Sequence, residues 1–340
     1  MTSRPDKVTA IAPSNIAFLK YWGARDLDRA LPQNVSLSMT LSRCVTRTTV
    51  ERLGDGRATR VEELRDGRLA PAGPGFTARV VAHLVALVDD LGLPGPRQAG
   101  YRVATTNTFP SSAGIASSAS GFAALATAVA ALSGREVAPE RLSLLARRSG
   151  SGSAARSVLG GFVEWPGSSD DPAAPARQLA PAEHWELYDL IAVVSTAPKE
   201  VSSRDGHARA PTSPHYDRRL RELPDRLELM RRAIADRDLP TLGAAVEAEA
   251  VELHLIAMSS QPPIFYWHPA TLAVLERVRA LRRDGVGVWA TMDAGPNVHL
   301  ICEPADAEAV AAAVAAVDGV ERLIRDRVGS GPRPSDDHLF

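Results

Sequence analysis

The chain has 340 residues, of which 45% are hydrophobic and 23% charged, and its formal net charge is -1. That balance describes a globular protein, argues against a disordered chain, and provides no strongly basic surface for nucleic acid. The length favours two domains sharing a cleft over one core. Cys44 and Cys302, the two cysteines, lie in apolar runs without Cys or His at ligand spacing, which argues against a disulfide framework or a zinc site. The polar start, Met1 to Lys7, carries no signal-like apolar segment, and no run approaches the roughly 20 apolar residues of a membrane span. A reducing cytoplasm is the expected compartment.

The opening third alternates short strands, such as Val45–Val50 and Arg60–Glu63, with Gly- and Asp-rich turns, and predicts a β-meander. Helical periodicity covers Phe76–Leu91, followed by a strand near Gly100–Thr106. The small-residue segment Ser111–Gly121 opens an Ala-rich helix reaching about Leu132, and Pro139–Arg148 predicts another helix. A Gly/Ser loop spans Ser149–Gly161, and Trp165–Pro181 predicts a surface excursion. Leu187–Ser195 has the pattern of a buried strand, and Lys199–Ser213 that of a polar loop. Long amphipathic helices are expected at 216–235, 239–258 and 268–283. Gly285–Thr291 and Val298–Cys302 then predict strands, Ala305–Val317 a helix, and the residues after Gly329 a frayed tail. The expected division is 1–190, 191–330 and a tail at 331–340.

The strongest chemical signal is Pro110 to Gly121, because small residues let backbone N–H groups approach a ligand at a helix N-terminus. Ser117 and Ser118 add hydroxyls for phosphate or magnesium. The spacing matches neither a Walker loop nor a dinucleotide fingerprint. The same residues also suit a tightly packed helix start. Asp293 precedes Ala294-Gly295-Pro296, a turn that leaves a carboxylate at an element end or uses it as a turn cap. Arg156 lies among small residues, free to pair with a carboxylate or to sit on the surface. Lys20 follows an apolar strand, and His254 and His299 fit structural roles in helix and strand patterns.

The run Pro-x-x-x-Gly-Ile-Ala-Ser-Ser-Ala resembles the phosphate motif of the GHMP kinase superfamily, and four further blocks resemble the mevalonate diphosphate decarboxylase family. These are Ala12–Gly23 with Leu31–Leu41, Ser151–Ser157 with Gly160-Gly161, Lys199–Arg204, and Met292–Asn297. The resemblance implies a GHMP α/β fold: a ribosomal-protein-like N-terminal domain, a C-terminal ferredoxin-like α/β sandwich, and an active site in the cleft between them. It implies ATP-dependent decarboxylation of mevalonate 5-diphosphate to isopentenyl diphosphate, with ATP as co-substrate, Mg²⁺, and a homodimer. In the family's pattern Asp293 faces the substrate's tertiary hydroxyl, Arg156 holds its carboxylate, and Lys20 lies beside the aspartate. Asn107, Phe109, Pro110, Gly114, Ala116, Ser117 and Ser118 would hold ATP, with Ser118 also a metal ligand. Asn15, Tyr21, Ser151, Ser153, Lys199 and Arg204 would contact the phosphorylated substrate.

One position departs from the family. A lysine commonly precedes Arg-Asp there and reaches the substrate's diphosphate, whereas this chain has Ala24-Arg25-Asp26. Losing one charge-assisted contact costs about 1.5–3 kcal/mol unless another cation, such as Arg25, replaces it. A phosphomevalonate decarboxylase making isopentenyl phosphate therefore stands as the alternative. A 3-kinase without decarboxylation and a non-catalytic binding protein stand further off.

Overall fold

The computed structural model describes residues 5–110, 115–167 and 174–340. In chain order the strands are β1 (Lys7–Leu19), β2 (Ala24–Asp26), β3 (Leu31–Pro32), β4 (Ser36–Asp55), β5 (Arg60–Arg65), β6 (Arg68–Pro71), β7 (Ala99–Asn107), β8 (Phe162–Trp165), β9 (Arg177–Ala180), β10 (Tyr188–Val193), β11 (Val288–Thr291), β12 (Val298–Cys302), β13 (Arg322–Arg327) and β14 (Arg333–Ser335). The helices are α1 (Pro74–Leu91), α2 (Ser117–Leu132), α3 (Pro139–Arg147), α4 (Ser203–Arg209), α5 (Tyr216–Asp236), α6 (Leu239–Ser259), α7 (Pro269–Arg283) and α8 (Ala307–Ala315).

A large sheet runs β14-β1-β4-β7-β5-β6, with β8 joined to β4 and β9 to β8. The expected meander is only partial. One long strand, β4, pairs with β1 along one edge and with β7 and β8 in separate stretches of the other, and β5 joins β7 in parallel. Helix α2 lies across β1 and β4 and also packs against α1 and α3. Its alanines leave little side-chain bulk between these layers, so the helix is buried on nearly every face. α1 begins at Pro74 and ends on Gly92 in the left-handed conformation, which explains its bounds.

The second sheet, antiparallel in the order β11-β12-β10-β13, explains the apolar run at 190–194. Leu190 and Ala192 face a core with α7 and α8, whereas Ile191 and Val193 face the other way. On that other face they belong to one cluster with Ile16, Phe18 and Met39 of the large sheet and with Leu223 and Met230 of α5. The two sheets therefore share a continuous apolar core beneath the cleft. The expected α/β arrangement is what the chain adopts.

Three local expectations are corrected. Lys199–Ser213 is not a plain loop, because α4 forms within it, with Ser202 accepting a hydrogen bond from the Asp205 N–H as its N-cap. The segment after Trp165 returns to the sheet as β9. The end of the chain is docked, not frayed: β14 pairs with β1, and the Phe340 ring lies 3.7 Å from the Arg102 guanidinium. Short polar sequence carried no periodicity from which β14 could be read.

Helix α6 is the brace that carries side chains to the cleft, and Gly243 lets it lie against β11. A Cβ at that position would stand 2.1 Å from the Trp289 indole. Gly243→Ala is expected to destabilise the fold by about 1–3 kcal/mol through overpacking, outweighing a helix-propensity gain of about 1 kcal/mol. Thermal and urea unfolding of the variant test the sign.

Candidate active site

A cavity of about 690 Å³ opens between the sheets, and Lys20, Arg156 and Asp293 all line it. Lys20 stands immediately beyond β1, 1% exposed, because the buried strand runs straight into the cleft. Its ammonium donates to Ala17 O at 2.7 Å, Thr291 Oγ1 at 2.8 Å and Asp293 Oδ1 at 2.9 Å. All three protons are thereby placed, which fixes the ammonium's direction.

Asp293 follows β11, and 25% of its side chain remains exposed to the cavity. Burial pushes its carboxyl up, but Lys20, with smaller contributions from His299 and Arg156, outweighs that and holds it below the usual aspartate value. Beyond the turn, Asn297 Oδ1 accepts from the N–H groups of Val194 and Ser195 and ties this loop to the end of β10. The Asp293 carboxylate lines the cleft.

Arg156 is no surface arginine: it is 2% exposed. Its guanidinium donates to Ser38 Oγ at 3.0 Å, to Ser36 Oγ, and to Asn15 Oδ1 at 3.2 Å. These neutral acceptors orient the charge without cancelling it, and among the described residues no carboxylate stands within salt-bridge distance. Burial draws its pKa down to about 10, partly offset by Asp293 and Tyr21, so it remains a cation at neutral pH. Asn15, expected at the substrate, does not line the cavity. Its amide also donates to Ser157 Oγ at 2.8 Å and Ser153 O at 3.3 Å, so it acts behind Arg156.

The phosphate segment is open towards the same cavity, with Ala116, Ser117 and Ser118 on its wall. Ala116 has the left-handed backbone (φ 47°) and precedes α2, which has no side-chain cap. A left-handed non-glycine residue thus stands at the start of a helix whose first turn no side chain caps. Gly114 lies outside the described residues, as do Ser111 to Ala113. Asn107, Phe109 and Pro110 do not line the cavity. Phe109 is 5% exposed within the shared core, and the Asn107 side-chain Oδ1 accepts from Thr46 Oγ1 at 2.6 Å, so both support the loop from behind.

Ser151 and Ser153 flank Gly152, where a Cβ would stand 2.5 Å from the Tyr21 ring and 2.7 Å from Trp165. The missing side chain lets this segment pass close beneath Tyr21 and brings the Ser151 and Ser118 hydroxyls 3.3 Å apart. Tyr21 is half-buried, and burial raises its phenol above the ordinary value. Lys199 donates to Ala294 O and, at 3.4 Å, to Ser203 Oγ, and burial lowers its pKa. Arg204 is tied to Leu27 O at 2.8 Å and Asp28 Oδ1 at 2.5 Å at the cavity edge.

Among the cavity residues that the sequence does not single out are Arg79, Arg148 and His207. Arg79 lies on the exposed face of α1 over the Phe122 ring at 4.9 Å, where helical periodicity marks only a solvent-facing arginine. Arg148 is tied to Asp90 at 2.8 Å. His207 takes the Gly23 N–H on Nδ1 at 3.0 Å, and burial next to Arg219 and Arg204 draws its pKa down to about 3, so it is neutral. Six cations (Lys20, Arg79, Arg148, Arg156, Lys199, Arg204) and two carboxylates (Asp28, Asp293) therefore face one void, which suits a strongly anionic ligand.

A divalent ion bound mainly by ligand phosphates fits this wall. Ser118 and Ser151 offer hydroxyl oxygens, and no group of three or more acidic, His or Cys side chains forms a cage among the described residues.

Because folding lowers the Asp293 pKa, the Lys20–Asp293 pair stabilises the protein above the ordinary carboxylate range near pH 4, and this is lost as pH falls through the folded value. Removing the ammonium leaves burial to dominate. Lys20→Met is expected to raise the Asp293 midpoint and move acid unfolding to higher pH, as followed by circular dichroism.

The N-terminal part, residues 12–176, matches the family model of the diphosphomevalonate decarboxylase-like N-terminal domain, and residues 189–329 match that of the mevalonate 5-diphosphate decarboxylase C-terminal domain. The diphosphomevalonate decarboxylase of Candida albicans is 33% identical over 354 residues, covering 96% of this chain and 98% of that protein. The human diphosphomevalonate decarboxylase is 37% identical over 304 residues, covering 85% and 75% respectively. A solved mevalonate diphosphate decarboxylase from Enterococcus faecalis superposes with a TM-score of 0.86 at 34% identity, covering 97% of this chain and 99% of that one. A solved complex described as MDDEF with MVAPP, AMPPCP and magnesium gives 0.87 at 34% identity over the same shares. With this GHMP-type fold and both family domains in order, the chain belongs to the mevalonate 5-diphosphate decarboxylase family.

Proposed function

We propose that this protein is an ATP-dependent decarboxylase that converts mevalonate 5-diphosphate, with ATP, into isopentenyl diphosphate, ADP, phosphate and CO₂. The observation that carries the reading is the facing pair in one cleft: an ionised aspartate held by Lys20, and a buried, uncancelled Arg156 guanidinium. A proton acceptor and a carboxylate receptor are the two groups that phosphorylation followed by decarboxylation requires.

Asp293 orients the tertiary hydroxyl of the substrate. Its low basicity suits an acceptor that takes the proton only as the new oxygen–phosphorus bond forms, while positioning and electrostatics lower the barrier. Lys20 keeps the carboxylate ionised at neutral pH and fixes its direction. The N–H groups around Ala116 to Ser118 and the neighbouring serines hold the triphosphate. Ser118 would join the phosphates in holding Mg²⁺, which would supply charge neutralisation at the transferred phosphoryl group.

Once phosphorylated, the tertiary oxygen departs as phosphate. The carbon–carboxylate bond then breaks, and its electron pair forms the double bond as CO₂ leaves. Arg156 sets the carboxylate in line for this step. Its neutral serine and asparagine partners fix the direction of the guanidinium, and that direction orients the carboxylate for departure.

Ser151, Ser153, Tyr21, Lys199 and Arg204 form the phosphate end of the substrate site. Arg25 does not stand in for the family lysine: it donates to Gly167 O at 3.4 Å and is absent from the cavity wall. Arg79, lacking a carboxylate partner within 4 Å among the described residues and facing the cavity, supplies the missing cation in the diphosphate reading. The monophosphate reading draws on the same Ala24, which lies off the cavity wall. A cytoplasmic homodimer completes the reading, resting on the family resemblance and on the unpaired cysteines Cys44 and Cys302.

The decisive assay measures ADP and CO₂ together, with mevalonate 5-diphosphate and mevalonate 5-phosphate in parallel. Equimolar ADP and CO₂ with higher kcat/KM on the diphosphate is expected. ADP without CO₂ would point to a kinase, and preference for the monophosphate would favour the isopentenyl phosphate reading. Asp293→Asn is expected to lower kcat by a factor of about 10²–10⁴, the usual worth of a positioned proton acceptor.

A further inference from the structure

Lys20 stands one residue past the last β1 pairing, Leu19 with Leu37, where the ladder no longer holds its peptide groups. Both are nonetheless held by side chains. Its N–H donates to Glu249 Oε1 at 3.0 Å, and its carbonyl accepts from Arg219 Nη2 and from Asn34 Nδ2, each at 2.9 Å. Arg219 of α5 and Glu249 of α6 are both wholly buried and pair with each other. The far oxygen of Glu249 is taken by Arg226, which also binds Glu252 and makes no contact with Lys20.

We infer that Glu249, with Arg219, is a positioning pair for the reaction centre, gripping the Lys20 main chain so that its ammonium meets Asp293. Two buried charges are an expensive way to satisfy one main-chain N–H and one carbonyl. The grip is explained by what lies at the other end of the same residue, where Nζ is fixed by Thr291 and Asp293. A swing of the main chain at Lys20 displaces the ammonium, and small misplacements of this kind are costly to catalysis.

This inference rests on the reading of Asp293 as proton acceptor, so its test needs a readout that survives failure of that reading. The ionisation of Asp293 in the unliganded enzyme provides one. The charged or titratable groups that face it are Lys20 beyond β1, Arg156, Lys199 ahead of α4, His254 of α6, His299 of β12 and Asp189 of β10. Of these, only Lys20 both hydrogen-bonds its carboxylate and is gripped by Glu249.

The experiment titrates Asp293 by carboxyl carbon NMR in the full-length protein, assigned with Asp293→Asn, for Glu249→Gln and Arg226→Gln. Glu249→Gln is expected to raise the Asp293 midpoint by about one pH unit, as befits a weakened ion pair. Its kcat falls about 10- to 100-fold, with substrate KM within about twofold. Arg226→Gln leaves the midpoint in place and keeps kcat within about threefold.

An unchanged midpoint in folded Glu249→Gln, or equal shifts in the two variants, overturns the inference. Should Glu249→Gln fail to fold, Asn34→Ala, which removes one hydrogen bond to the Lys20 carbonyl, is read the same way. A smaller upward shift supports the grip and none overturns it. Wild-type protein without turnover would defeat the proposed function while leaving the titration decisive for the grip.

Discussion

The contact between Lys20 and Asp293, 2.9 Å long, joins the end of a strand in one sheet to the loop between two strands of the other. It closes over the apolar core that the two sheets share, where Ile16 and Phe18 meet Ile191 and Val193. The core sets the separation of the sheets, and that separation lets the Lys20 ammonium reach the Asp293 carboxylate in the cleft. Most of the site depends on this geometry. The aspartate is ionised because the lysine is there, and the lysine points one way because its main chain and all three protons are held.

Charge in the cleft is arranged by degree of compensation. Lys20 has a carboxylate, Arg148 and Arg204 are each tied to an aspartate at the rim, and Arg156 has only neutral oxygens. The deepest uncancelled cation is thus the one that fits a carboxylate about to be lost. The rim cations suit phosphates, which stay charged throughout the reaction. Tying a rim arginine to a carboxylate also lowers the cost of holding it ordered before a ligand arrives.

The long apolar patterns were legible in the sequence: α1, α2, α5 to α7 and the buried strand β10 follow from periodicity, and the order of the family blocks points to the cleft. The short polar elements β14 and α4 were not. β14 and α4 are too short for a period to show, and they form because they dock on β1 and around Trp22, whose ring leaves room only for a glycine at position 206. Of the site residues, Lys20, Arg156 and Asp293 come together as their motifs suggest. Asn15 and Phe109 lie behind the surface they were expected to form, because a motif records which residues occur together and not which of them face the ligand. Arg79 carried no signal, since on an exposed helical face an arginine that points into a cleft reads like one that points into water.

In the proposed reaction the tertiary oxygen of the substrate is the atom that is phosphorylated and then expelled. Substrate labelled with ¹⁸O at that hydroxyl, turned over with unlabelled ATP, tests this directly. The account requires the label to appear in the inorganic phosphate, one atom for each CO₂ released. Unlabelled phosphate accompanying CO₂ release would contradict it, because ATP cleavage would then be separate from departure of the oxygen that Asp293 is held to orient.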